Sequence, residues 1–454
     1  MKKKSIALLG LMMCLVSGCA DKKMDECLFP RAEESYVGDV MALSSDDGVY
    51  LNYLYETDNN GVGYHPLHQF YTKDFLKFRD NGETLKFAEN SELQDLAIGT
   101  GSFIKDDSGK YHCFYTGHND YYDVYGLDKE CVMHATSKDN KKYEKNYEEI
   151  IHAPNGYSTT DFRDPQVYHT DDGYIMLVGA RKEAEQESAI IYYESQDLSN
   201  WTFKGDFYTS KELYFMECPD VFKLGEKYYL VFSWNNVVYY RMADSFFGPW
   251  EKPEIDTFDG NGFYAAKTCE YKDKRYLIGF LDRKKRENDS LGYTWAGSVL
   301  VYELRQLQDG TLGVCMPEQY NGYFDKELKS LSAEDESMDL GKVPETCHLS
   351  FELTMQEGGA CSLDFSNPDS GEEYKISIDN EKDIISYNAF PNFQPVKLET
   401  GEKYQIDVVI EKDIVVVYAG GVKALSNRIY SAVGGDWKLN IQGAEAKNVK
   451  IYGK

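Results

Sequence analysis

The chain has 454 residues, 42% of them apolar, too many for one ordinary domain and too apolar for a disordered polymer. Its formal net charge of -27 repels phosphate backbones, which excludes nucleic acid as a partner and favours a neutral ligand. The 37 Tyr and 23 Phe against 5 Trp favour strands and give flat faces for ligands.

At the N-terminus, Lys2, Lys3 and Lys4 precede an apolar stretch over residues 6–16, too short to span a bilayer comfortably. It ends in Leu15-Val16-Ser17-Gly18-Cys19, with small residues where a signal cleavage site needs them. The segment resembles the lipobox of bacterial lipoproteins. That resemblance implies removal of residues 1–18, lipid on the Cys19 thiol, a tether over 20–36 and a location outside the cytoplasm, anchored to a membrane. An ordinary secretory signal with an incidental Cys19 is the alternative. Ten Cys occur in all, without CxxC or zinc-type spacing, and Cys347 and Cys361 are placed to bridge two neighbouring strands.

From about residue 37 to 317 one theme recurs: a polar turn, then a short aromatic run. The runs are VYLNYL (49–54), KYHCFY (110–115), GYIMLV (173–178), KYYLVF (227–232) and KRYLIG (274–279). A second unit repeats beside them. TKDFLKF (72–78) is matched by SQDLSNW (195–201) and more weakly by SKDN (137–140). Hairpin units at this regular spacing predict an all-β fold with a five-bladed β-propeller over 37–317, a β-sandwich with chance hairpins being the alternative. Residues 318–342 are polar and irregular and read as a linker. Alternation returns over 349–355, 374–378 and 404–408, and 414–418 is continuously apolar, which predicts a second domain over 343–454, an antiparallel β-sandwich.

Carboxylates are too numerous here for their count to select any, but position does. Asp39 in GDVM (38–41), Asp164 in RDP (163–165) and Glu217 in ECPD (217–220) each open a repeat, at or before the predicted innermost strand. Innermost strands of a propeller converge on its axis, so these acids from three blades point into one funnel. Paired carboxylates of that kind serve glycoside hydrolysis, where one protonates the leaving oxygen and another attacks or activates water.

The set resembles glycoside hydrolase family 32, the invertase, levanase and inulinase family. RDP and ECP match its signature motifs in order, LAIGTGS (96–102) resembles its second-blade motif, GFYAAKT (262–268) resembles its FYAPQT segment, and WAGS (295–298) has a family look. The usual first motif, WMNDPNG, is absent. GDVM resembles a GDPM variant, with Val40 in place of Pro. The resemblance implies a retaining enzyme acting on sucrose or fructans, with Asp39 as nucleophile, Glu217 as general acid and base, and Asp164 stabilising the transition state. It implies that Arg163 orients the acids or the sugar, and that Thr100, Ser102 and Tyr264 contact the substrate. His68, in HPLH (65–68), is a further candidate facing the funnel, a structural or surface His being the alternative. Asp46 and Asp47 compete with Asp39 for the nucleophile role but read as a hairpin turn. No metal or cofactor is expected, since the eight His are dispersed and two carboxylates with water suffice. Two other readings compete: an inverting arabinoside or xyloside hydrolase of family-43 type, and an inactive lipid-anchored glycan-binding protein.

Overall fold

The computed structural model describes residues 22–57, 64–331, 336–366, 371, 373–430 and 435–454. The lipobox and Cys19 lie outside these residues.

Five antiparallel blades surround one axis. Their innermost strands are β1 (Tyr36–Ser45), β2 (Ala97–Lys105), β3 (Tyr157–Thr170), β4 (Glu217–Leu224) and β5 (Phe263–Tyr271). Each innermost strand touches the next, and β5 returns to β1, so the ring is closed. The Gly297–Val37 pairing also joins the third strand of the last blade to β1. The five aromatic runs are the second strands of the blades, such as Tyr111–His118 and Lys227–Trp234. These strands are buried on both faces, between the sheets of neighbouring blades, and so read as continuous apolar runs rather than alternating ones.

The second repeated unit is a turn held by its own side chains. Thr72 Oγ1 accepts from the Phe75 amide at 2.8 Å, and Asp74 Oδ1 accepts from the Leu76 and Lys77 amides. Ser195 and Asp197 do the same for Leu198, Ser199 and Asn200. Ser137 and Asp139 repeat the pattern for the weaker copy. In all three the residue after the Asp has positive φ: Phe75, Leu198 and Asn140. The side-chain acceptors hold a backbone shape that is strained for Phe and Leu.

The second domain is built on two long neighbouring strands, Thr346–Ser366 and Asp436–Gly453. The first half of Thr346–Ser366 pairs with Lys403–Glu411 and its second half with Glu373–Asp379. The apolar run at 414–418 lies in strand Ile414–Ala419, which is buried on both faces. Val415, Val417 and Ala419 enter the sandwich core, whereas Ile414, Val416 and Tyr418 join the core of the propeller. Each such side chain stabilises the junction by roughly 1.5–3 kcal/mol. Polar contacts complete it: the Ser426 amide donates to Asp259 Oδ1, and Arg428 reaches the Asp282 and Leu281 carbonyls.

Three expectations need correction. The supposed linker contains two strands, Lys326–Leu331 and Ser337–Lys342, both paired with Asp436–Gly453. Both are edge strands. Lys326–Leu331 is mostly exposed and Ser337–Lys342 buries only Met338 and Leu340, so their composition imitates a loop. The described part of the supposed tether is packed rather than loose. Lys22–Lys23 pairs with the outer strand Phe78–Leu85, Leu28 and Phe29 are buried, and both their amides donate to Glu411. Cys347 and Cys361 are free thiols on one and the same strand, so they cannot bridge neighbours.

Candidate active site

Every innermost strand is interrupted at the same level. Register breaks fall between Gly38 and Val40, Ile98 and Gly101, Arg163 and Gln166, Glu217 and Asp220, and Tyr264 and Lys267. Such a bulge swings a residue out of the ladder and re-aims it. Here the residues at or beside the bulges are Asp39, Thr100, Asp164, Glu217 with Cys218, and Tyr264 with Ala265. Asp164, Cys218 and Ala265 take positive φ, the conformation that turns the strand there.

These side chains meet in one funnel. Thr100 Oγ1 donates to Asp39 Oδ2 and Trp295 Nε1 donates to Asp39 Oδ1 at 3.2 Å, so both carboxylate oxygens are oriented. Tyr264 donates its hydroxyl proton to Glu217 Oε2. Arg163 donates to Glu217 Oε1 through Nη2 at 3.0 Å, and to Glu130 Oε2 through Nη1 at 2.9 Å. Its guanidinium lies 3.8 Å over the Phe215 ring. Asp164 Oδ2 accepts from the Cys218 amide at 2.9 Å, and the Asp164 amide donates to Thr116. Glu217 keeps 24% of its side chain exposed, whereas Asp164 is 4% exposed, so Glu217 is the more accessible acid.

Burial sets the electrostatics. It pushes Asp39 above the ordinary carboxylate range, the Thr100 bond opposes it, and the charge of Glu217 adds to it. Asp164 is pushed up to about 7 by burial, against the pull of Arg163, with Glu217 and Asp39 adding repulsion. Arg163 loses solvation too, but Glu130 and Glu217 hold it firmly protonated. Clustered carboxylates with raised pKa values in a cleft have the character of a catalytic site.

The geometry sorts the residues selected from sequence. Asp39, Asp164, Glu217, Arg163, Thr100 and Tyr264 come together. Ser102 does not join them: its Oγ accepts from the Val167 amide at 3.0 Å, sealed between the second and third blades. His68 does not either. It sits on Leu67–Thr72, two strands out from β1, and stacks on Tyr55 at 4.0 Å. Burial lowers its pKa to about 4, so it is a neutral packing ring.

The description "Glycosyl hydrolases family 32 N-terminal domain" matches residues 31–312 of this sequence. The chain belongs to glycosyl hydrolase family 32. The matched span includes all five innermost strands. Among curated family relatives, it is 31% identical over 236 residues to a sucrose-6-phosphate hydrolase of Escherichia coli, covering 47% of this chain and 48% of that protein. It is 28% identical over 238 residues to a raffinose invertase of Escherichia coli, covering 47% and 48%. The chain thus aligns with about half the length of these relatives. A sucrose-6-phosphate hydrolase structure from Lactobacillus gasseri matches at TM-score 0.77 and 18% identity, over 95% of this chain and 92% of that one. An exo-inulinase structure from Aspergillus awamori matches at TM-score 0.75 and 14% identity, over 94% and 97%. At these identities the solved structures show the shared fold: a propeller followed by a sandwich.

Two members of this family-32 site were not selected from sequence. Trp295 belongs to the quoted WAGS segment, but nothing in that string says that its indole reaches Asp39. It does so because the ladder breaks between Asp282 and Arg283, opposite Trp295 and Ala296. Gly38 makes room for it: a Cβ at 38 would lie 2.2 Å from the indole ring. Trp295 therefore fills the space that a side chain at position 38 would occupy. Glu130 opens the third strand of the second blade, where no motif marks it, and only the tertiary fold brings it to Arg163.

Proposed function

We propose that this protein is a β-fructofuranosidase that cleaves sucrose or fructans with retention of configuration. The observation that carries this is the placement of Asp39, Asp164 and Glu217 on bulges of three blades, opening into one funnel. A carboxylate oxygen of Asp39 attacks the anomeric carbon of the fructosyl unit. The glycosidic bond breaks as Glu217 gives its proton to the leaving oxygen, and a fructosyl ester forms on Asp39. Water then gives a proton back to Glu217 while its oxygen attacks the same carbon and frees Asp39. Asp164, fixed by the Cys218 amide, hydrogen-bonds fructose hydroxyls as positive charge develops on the ring. Arg163 and Tyr264 both donate to Glu217 and hold it at the leaving oxygen. Trp295 and Thr100 aim the nucleophile. The first motif works here as a GDP-type variant, in which Gly38 admits the indole.

We further propose that the chain is exported and lipid-anchored through Cys19, on the strength of the basic, apolar and small-residue pattern of residues 2–19. Cys19→Ala should move the protein from the membrane to the soluble extracytoplasmic fraction.

The deciding experiment is sugar release from sucrose, inulin and levan, with the anomer of the first-formed fructose followed by NMR. Release of β-fructose, lost in Asp39→Asn and Glu217→Gln, supports the mechanism. First-formed α-fructose would rule out the covalent intermediate. Cleavage of arabinosides or xylosides alone would keep the fold and overturn the substrate.

A further inference from the structure

Directly after the bulges comes a layer of one residue per blade: Val40, Gly101, Gln166, Asp220 and Lys267. It forms the floor of the funnel. Lys267 is 3% exposed. Its Nζ reaches across the axis, donating to the Gly101 carbonyl at 2.8 Å and to Gln166 Oε1 at 2.9 Å. Both acceptors are neutral. A sealed ammonium costs several kcal/mol unless an opposite charge acts on it. The mechanism above makes no use of this cation.

The groups around it supply the opposite charge. β1 brings Asp39, β3 brings Asp164 with Arg163 beside it, and β4 brings Glu217, Cys218 and Asp220. β5 itself adds Tyr264, and β2 contributes only the uncharged Thr100 and Gly101 at this level. Asp220, in the same layer, accepts from the Thr268 amide at 2.7 Å, from Thr268 Oγ1 and from the Tyr168 hydroxyl, and its charge also faces the ammonium. The Cys218 thiol stays neutral, held well above its usual pKa by burial. Asp39 and Asp164 remain, one layer above the ammonium. Burial holds the Lys267 pKa below its usual value, and the carboxylates of Asp164, Asp220 and Asp39 oppose that shift. The same cation in turn favours the ionised form of Asp164.

We propose that Lys267 is a positioning residue of the site: its ammonium, under the funnel floor, is the counter-charge that lets Asp39 and Asp164 be ionised together. The inference rests on the proposed roles of those two carboxylates. It goes beyond them by assigning their charge state to a residue that substrate never touches. Arg163 also favours the ionised form of Asp164, but its hydrogen bonds go to Glu130 and Glu217, so Lys267 acts beside it as a second counter-charge.

The test is the pH profile of kcat/KM for wild type, Lys267→Gln and Lys267→Arg. Loss of the charge in Lys267→Gln should move the acidic limb upward by about one pH unit, since a nearby opposite charge shifts a carboxylate by roughly 1–3 units. Lys267→Arg should keep the limb in place. A merely structural plug would lower the rate equally at every pH, and an unmoved acidic limb in Lys267→Gln overturns the proposal. A second arm needs no substrate. The Tm deficit of Lys267→Gln against wild type should grow from pH 5 to pH 8, as the carboxylates left without a counter-charge ionise. The double variant Lys267→Gln/Asp164→Asn should melt higher than Lys267→Gln alone at pH 8, which also covers a single variant that folds poorly. Equal deficits across pH, with additive double-variant effects, would overturn the proposal. Wild type that cuts no fructoside would sink the functional reading instead, leaving the melting arm to judge Lys267.

Discussion

The same backbone device serves two ends in this molecule. In the propeller, one bulge at one level of every innermost strand turns polar side chains toward a common axis. In the sandwich, bulges after Ser350 and Met355 lie between the two long strands, Thr346–Ser366 and Asp436–Gly453. There they let one strand pair with different partners along its length, and the inward residues stay apolar: Leu349, Phe351, Leu353, Cys361, Leu363 and Phe365. A bulge supplies direction only; the residue type placed on it decides whether the result is a site or a bend. The propeller bulges bury carboxylates at an electrostatic cost, and the sandwich bulges bury hydrocarbon at none. The first region should therefore trade stability for activity, and the second should not.

The largest expected effect lies in the funnel. Asp39→Asn and Glu217→Gln should each lower kcat/KM by about 10⁴-fold or more, because each removes a reacting group, and Asp39→Asn should also melt higher than wild type at pH 8, because burial holds the Asp39 carboxyl above its ordinary range. Steady-state kinetics with thermal melts checks both halves. Asp164→Asn sharpens the contrast. It should lower kcat/KM by roughly 10³-fold, as loss of a transition-state contact does. Its stability should move the other way. The folded-state pKa of Asp164, about 7, is raised above its ordinary value, so its contribution is present in acid and lost as pH rises toward 7. The variant should thus gain roughly 1–3 kcal/mol over wild type at pH 8, a gain that shrinks toward pH 4. A variant equally less stable at every pH would break the trade.

The sandwich should answer in the opposite sense. Leu353 is fully buried in its core, and Leu353→Ala should cost about 2–5 kcal/mol while the folded enzyme keeps its kcat. A fall in kcat at full folding would show that this domain shapes the funnel. The smallest effect is expected from Trp295→Phe, which keeps the ring but loses the bond to Asp39. One such bond is worth roughly 1 kcal/mol, so kcat/KM should fall about 5–10-fold.

Legibility followed the local physics. Asp39, Asp164 and Glu217 could be found because each opens a repeat, and a repeated position in a propeller is a position on the axis. Thr100 and Tyr264 were reached through the resemblance of LAIGTGS (96–102) and GFYAAKT (262–268) to family motifs. Ser102 was misjudged by two residues: beyond the bulge the alternation of the strand turns its hydroxyl between blades. His68 does not face the funnel because it lies on Leu67–Thr72, two strands out from the axis. The edge strands within 318–342 were hidden by exposure, since a strand wet on one side needs few apolar residues.

What the sequence by itself determined is the repeat, the all-β class, the family's acidic motifs and the split into propeller and sandwich. All of these rest on local periodicity or on short contiguous strings. What only the tertiary structure decided is which partners each acid has. Trp295 lies 256 positions from Asp39, Tyr264 lies 47 from Glu217, and Lys267 lies 166 from the carbonyl it caps. Those distances close only when five blades meet on one axis, and no local pattern encodes which side chains then face each other.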